Sequence, residues 1–402
     1  WVHYEPAFVF HSLMTIMLRR SIALCACLVF LTACSVAVKA TPNSIIQDNP
    51  TESPNTVAPT PAVTVTPTSA PVYMVLSDRL TLHKSGYAAS YLVSDEEFES
   101  FGDLMNSEAA VEAVEEAYRF FEDDFDFVFV INNTEKDFSK PGNGITFALR
   151  TYPESGLGPL TTFADGLPYV KLETPLEEET SRLMTMIHFA HKEAIRKGPA
   201  LHEMMHRWGN FVLPGPREYA MHWGFSDVGG QLGGFTDLEL LEEGTFHGFN
   251  RYRQDACFSP NTPSAEWDTR NSIPYAPLEL YLMGLIGIEE VPPQITVLEN
   301  AWFVDDANCV VAGTKKVYET AEILQSARVP GVEDAQKHFK ILTLVVTPAP
   351  LTEEEWDAVV QQLLWFEMQA DDNDSSVYNF YEATGGRGSV ELGGLAGSLR
   401  QE

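Results

Sequence analysis

Apolar residues along this chain follow two different spacings, and the switches between them mark out its elements. Between Glu108 and Phe121, the residues Val111, Val114, Tyr118 and Phe121 recur three and four apart behind Ser107, a suitable N-cap, so the stretch predicts a helix. Phe125–Ile131 is a compact apolar run rich in strand-forming residues, and Ile145–Thr151, Tyr169–Glu173 and Met184–Ala190 read as further strands. Leu201, Met205 and Trp208 then fall at i, i+4 and i+7, the stripe of a second helix. Gly198-Pro199 stands just ahead of it, and proline is favoured at a first helical position. Beyond this helix the chain becomes glycine-rich at 229–234, and Asp237–Phe249 reads as a hairpin turning near Glu243-Gly244. Pro277–Gly284 looks like a short helix and Phe339–Val346 a strand. Thr352 with Glu355 three residues on forms a capping box, opening a helix whose buried face would be Trp356, Val359, Val360, Leu363 and Leu364. Strands and helices in mixed order point to an α+β fold.

The composition, 45% hydrophobic and 11% aromatic, supports a sizeable core, and 402 residues suffice for one large domain or two ordinary ones. No repeat or internal linker interrupts residues 72–402, which are expected to form one domain. A formal net charge of -31 would repel phosphate backbones, so nucleic acid is excluded as a natural partner. The acidity says little about chemistry, since a solvated acidic surface also keeps a protein in solution.

The N-terminal residues read as an address. Met17-Leu-Arg-Arg20 is a positive start, an apolar run follows, and Leu31-Thr-Ala-Cys34 supplies small residues for cleavage. The run is too short for a comfortable transmembrane helix. Residues 1–34 are therefore read as a signal region, and residues 1–16, upstream of Met17, are expected not to belong to the natural product. Leu31-Thr-Ala-Cys34 also resembles the lipobox of bacterial lipoproteins. That resemblance implies cleavage before Cys34, a lipid on its sulfur, and an exported protein anchored at the cell envelope or surface. An ordinary secretory signal and an uncleaved anchor are the competing readings. Residues 35–71, rich in Thr, Pro, Ser and Val, cannot bury a core and are read as a disordered linker. Stretched out it would reach on the order of 100 Å, enough to hold a domain clear of a membrane. Of the 5 cysteines only Cys257 and Cys309 lie in the expected domain. Outside the cytoplasm they can form a disulfide, contributing about 4 kcal/mol by chain entropy; two buried thiols are the alternative.

Leu201-His202-Glu203-Met204-Met205-His206 carries the sharpest chemical pattern. Residues four apart on a helix share a face, so His202 and His206 can aim two imidazoles at one metal ion. Glu203, beside them, can take a proton from a water that the ion polarises, the arrangement of a zinc hydrolase. Leu201, Met205 and Trp208 would face the core, and the histidines, with Gly209, the other side. The competing reading is a core helix whose histidines are hydrogen-bonded structural residues. Catalytic zinc usually has three protein ligands and an open position, and the preferred third ligand is His222, in Tyr219-Ala-Met-His-Trp-Gly-Phe225. Leu213-Pro-Gly-Pro216 could turn the chain back towards the helix. Glu239, Glu242 and Glu243 remain competitors, His247 is weaker, and His188 and His191 read as strand-edge or loop residues. Asp371-Asp-Asn-Asp-Ser-Ser376 has oxygen ligands in a row but lacks the full EF-hand pattern, and a solvated turn is the simpler reading.

With a helix and strands ahead of His202-Glu-Met-Met-His206, the chain resembles the zincin metallopeptidases. The resemblance covers 105–290 as layout and the motif itself in detail. It implies a twisted mixed sheet over the motif helix and a cleft along the sheet's edge strand, expected near Met184–Ala190. Two branches of the superfamily match in part. Gly209 fits the metzincin extension, but Val212 stands where that branch has its third ligand, and Met283 is a candidate for its methionine turn, with a core role as the simpler account. Gluzincins take a glutamate ligand from a later helix, whereas Glu239–Glu243 read as strand and turn. The implied activity is zinc-dependent hydrolysis of protein or peptide substrates, with Zn2+ as cofactor and Glu203 as general base. Tyr219 or Tyr281 could stabilise an oxyanion, and Arg207 and Asn210 could support the ligands from behind. The alternative is a non-catalytic surface binding or adhesion lipoprotein on the same scaffold.

Overall fold

A computed structural model describes residues 73–104, 107–135, 144–148, 172, 181–210, 212–214, 222–249, 271–305, 309–326, 331–372 and 376–401. Every described residue belongs to one compact unit, Thr68–Glu402. The signal region with Cys34, the linker, nearly all of 169–173, Tyr219 and Cys257 lie outside the described residues.

The described strands are β1 (Met74–Val75), β2 (Leu80–Leu82), β3 (Ala89–Leu92), β4 (Phe127–Asn132), β5 (Gly144–Ala148) and β6 (Thr185–Phe189). After them come β7 (Asp237–Glu242), β8 (Thr245–Phe249), β9 (Gln294–Asp305), β10 (Val310–Glu319), β11 (His338–Thr347) and β12 (Ser389–Glu391). The helices are α1 (Asp95–Phe101), α2 (Ser107–Tyr118), α3 (Ala194–Lys197), α4 (Ala200–Gly209), α5 (Pro277–Leu282), α6 (Thr320–Ile323), α7 (Glu353–Glu367) and α8 (Phe380–Ala383).

The larger sheet runs β1-β2-β3-β11-β4-β6-β5, with β12 alongside the start of β11. Its middle strands β3, β11, β4 and β6 are parallel, while β5 returns antiparallel on β6 and β1-β2-β3 is an antiparallel flank. This mixed sheet with helices is the α+β arrangement expected. Every residue of β4 is buried, because helices cover both faces. Phe127, Phe129 and Ile131 pack with Leu201, Met204 and Met205 of α4 and with Trp356, Val359 and Leu363 of α7. Val128 and Val130 point the other way, into Ala110, Ala113, Val114 and Tyr118 of α2.

Several expectations need correction. The helix expected over 108–121 is α2, which stops at Tyr118; Phe121 is buried through a bridge to Leu399. Leu364 is exposed, one helical step past Leu363, and Phe366 completes the buried face of α7. Met184–Ala190 does not supply the edge strand: β6 lies between β4 and β5, so β5 is the edge among the described residues. The five residues of β6 are all buried, as a strand with neighbours on both sides must be. His188 is accordingly a core residue.

The smaller sheet is antiparallel, β7-β8-β10-β9, and contains the expected hairpin over 237–249. Its other hairpin, 294–319, has no counterpart in the sequence reading, because its outer half is solvated. Trp302, Val304 and Val317 are exposed there among charged residues, so no clean apolar period is left to read. Phe225, Phe235, Phe246, Leu298 and Val311 form the inner core of this sheet. Strand β9 also braces the glycine-rich segment 222–234. Leu298 N donates to Phe225 O at 2.8 Å, and Thr296 N to Asp227 Oδ1 at 2.8 Å.

Candidate metal centre

Helix α4 begins at Ala200, with Pro199 as its N-cap rather than its first helical residue. The proline leaves the helix start without a side-chain cap of its own, and Asn271, far along the chain, supplies one: its Oδ1 accepts from Leu201 N at 3.2 Å. Tyr275 Oη donates to Leu201 O at 2.9 Å. All residues from Ala200 to Gly209 are buried, so the histidine face is covered and not open as its amphipathic stripe suggests. The cover is the 222–234 segment. A Cβ on Gly209 would sit 2.4 Å from Leu232 Cδ1 and 3.3 Å from Trp223 Cη2, so the close approach of that segment requires glycine here.

This packing brings His222 over the helix. Nε2 of His206 lies 3.2 Å from Nε2 of His202, and Nε2 of His222 lies 3.3 Å from the same atom. The partners on the far side of two rings fix their tautomers. His202 Nδ1–H donates to Gln231 O at 2.6 Å, and His206 Nδ1–H to Asn210 Oδ1 at 2.7 Å; the Asn210 amide nitrogen in turn donates to His206 O. Both Nε2 atoms are then unprotonated lone pairs facing each other, with no hydrogen to share. A cation among them removes that repulsion. Tetrahedral zinc with nitrogens at about 2.0–2.1 Å sets its ligands about 3.3 Å apart, the spacing found here. The three residues therefore fit a metal ion, and they form one of the groups with that capacity among the described residues.

Burial also keeps the imidazoles in the neutral form that ligates metals. It pushes His202 down to about 3, helped by His206 and opposed by the Gln231 carbonyl. It pushes His206 down to about 4 against the Asn210 hydrogen bond. His222 is held well below the ordinary histidine value by burial and by the other two rings. Glu203 moves the opposite way, up to about 7, because burial disfavours its charge more than the Thr146 hydrogen bond restores it. Thr146, on β5, has its Oγ1 2.8 Å from Glu203 Oε2 and 2.7 Å from Glu203 O. Strand and helix meet closely because residue 144 is glycine: a Cβ there would lie 2.9 Å from Glu203 Cγ.

The other sequence candidates separate. Glu239 and Glu242 lie on β7 and Glu243 at its turn, all exposed. His247 is on β8, paired with Val310 of β10. Met283 is a core methionine at the end of α5. Asn210 hydrogen-bonds the His206 ring, Arg207 is buried, and Tyr281 packs against the main core. Asp371 and Asp372 approach Glu382, while residues 373–375 lie outside the described residues. Cys309 is disulfide-bonded. Thr146, Gln231 and Glu279 were not singled out from sequence. Only Glu279 left a trace there, as the acidic residue three positions into a helix that opens with Pro277.

No protein-family model matches the chain, and no curated protein or solved structure is significantly similar to it.

Proposed function

We propose that the chain is a zinc-dependent peptidase of zincin type. It hydrolyses peptide bonds of extracellular or cell-surface proteins and is exported and held at the cell envelope through a lipid on Cys34. One observation carries the reading: the Nε2 atoms of His206 and His222 lie 3.2 and 3.3 Å from that of His202, with the lone pairs of His202 and His206 facing inward, beside a buried glutamate. Zinc held by His202, His206 and His222 would supply Lewis acidity to a scissile carbonyl and acidify a water in its open position. Glu203, braced by Thr146 and with its pKa at about 7, is suited to take the proton of the attacking water and return it to the leaving amine. The second support comes from β5. Among the described residues it pairs only with β6, so its other edge offers backbone N–H and C=O groups to an extended peptide, next to Glu203.

The test is Glu203→Gln in the full chain. Zinc content should stay near one ion per chain while cleavage of an unfolded protein substrate falls about 100- to 10,000-fold, the usual worth of a general base. A variant that cleaves as well as the parent would remove Glu203 from the mechanism. A purified chain that holds no zinc, and gains no activity when zinc is added, would favour the non-catalytic binding lipoprotein.

A further inference from the structure

Glu279 is fully buried. Its carboxylate receives four N–H donors. Oε1 accepts from Trp223 Nε1 at 2.8 Å and from Leu232 N at 2.8 Å; Oε2 accepts from Gln231 N at 2.9 Å and from Ala276 N at 2.8 Å. An ionised carboxylate is an acceptor only, and four donors suit that form. Two of the donors stand directly behind metal-site histidines. Trp223 follows His222 in the chain, and Gln231 is the residue whose carbonyl accepts from His202 Nδ1. The peptide hydrogen bond between Trp223 N and Leu232 O, 2.8 Å, ties the two branches together.

We propose that Glu279 is a positioning residue that sets both His202 and His222. It fixes the Gln231 carbonyl that holds the His202 tautomer, and it pins the indole of the residue that directly follows His222. The role in metal binding rests on the zinc reading above; the role in orienting the rings does not. A glutamine is nearly isosteric but cannot serve. Either terminal atom that becomes NH2 meets two N–H donors, so one pair of bonds is lost whichever way the amide turns. Outer partners of metal-ligating histidines are commonly worth 10- to 100-fold in affinity.

The experiment compares the parent, Glu279→Gln and Trp223→Phe in the full chain. Zinc affinity is read by competition with a chromophoric chelator, ligand geometry by the visible spectrum of the cobalt-substituted protein, and ring orientation by histidine ring resonances in metal-free protein. Glu279→Gln should lower zinc affinity about 10- to 100-fold, change the cobalt spectrum, and shift the rings of His202 and His222 while leaving those of His83 and His188 in place. Trp223→Phe removes one donor and keeps a large ring, so it should move the His222 resonances and weaken zinc several-fold. It also carries the test if Glu279→Gln does not fold. Zinc affinity within twofold of the parent together with unmoved His202 and His222 resonances would overturn the proposal. A parent that binds no zinc would instead defeat the peptidase reading, and the ring resonances would still decide the role of Glu279.

Discussion

His188 should make the fold sensitive to acid in a way that can be isolated. The ring is completely buried in β6, with the edge of Phe101 5.7 Å from it between ring centroids. Its Nε2 is 2.9 Å from Asn132 Oδ1, and the Asn132 amide nitrogen donates to Phe101 O, so Nε2 carries the proton. Nδ1 has no hydrogen-bond partner among the described residues. Protonation would put a second N–H, and a charge, into apolar surroundings, and burial accordingly pushes the pKa from 6.5 down to about 3. The folded value lies below the unfolded one, so the unfolded chain takes up its proton first. Stability is full above pH 6.5 and drains away as the pH falls towards 3. With 1.36 kcal/mol per unit, the loss is about 2 kcal/mol at pH 5 and approaches about 5 kcal/mol near pH 3. Urea unfolding of metal-free parent and His188→Gln at several pH values gives the difference directly. Glutamine can still donate to Asn132 but does not titrate in this range, and His202, His206 and His222 cancel because both proteins have them. The stability difference should shift by about 2 kcal/mol between pH 7.5 and 5 in favour of the variant. A difference that stays flat over that range would refute the reasoning.

Thr146→Val keeps the shape of β5 and removes the hydroxyl beside the Glu203 carboxyl; kcat should fall about 10-fold with KM little changed, as steady-state peptide cleavage would show. Gly209→Ala would force a methyl to within 2.4 Å of Leu232 Cδ1 and push the 222–234 segment off α4. It should cost about 1–3 kcal/mol in denaturant unfolding and weaken zinc binding at the same time. Zinc that binds only the folded chain should stabilise it by about 4 kcal/mol at a free concentration 1,000 times Kd, so a chelator should lower the thermal midpoint and restored zinc should recover it.

Local pattern carried much of the fold into view. The Phe127–Asn132 run, the Thr352 capping box and the 237–249 hairpin are written in adjacent residues, because their driving interactions span only a few positions. The pairing of His202 with His206 is also local, since one turn of helix sets their relation. Strand order was hidden for the opposite reason. Nothing in the apolar run of β6 distinguishes an edge from a middle strand, and its position depends on β5, which pairs with it through residues 37 to 45 positions apart.

What this sequence determined alone is the helix with two imidazoles one turn apart and an acid beside them, a consequence of helical period and nothing more distant. Tertiary structure decided the rest of the site. It chose His222 over the exposed glutamates of β7, and it buried α4 on every side. It also brought Thr146, Gln231 and Glu279 from three separate parts of the chain into the hydrogen bonds around Glu203 and His202. Those contacts are made by residues from 29 to 57 positions apart, so they arise only when buried polar groups must find partners in a closed core.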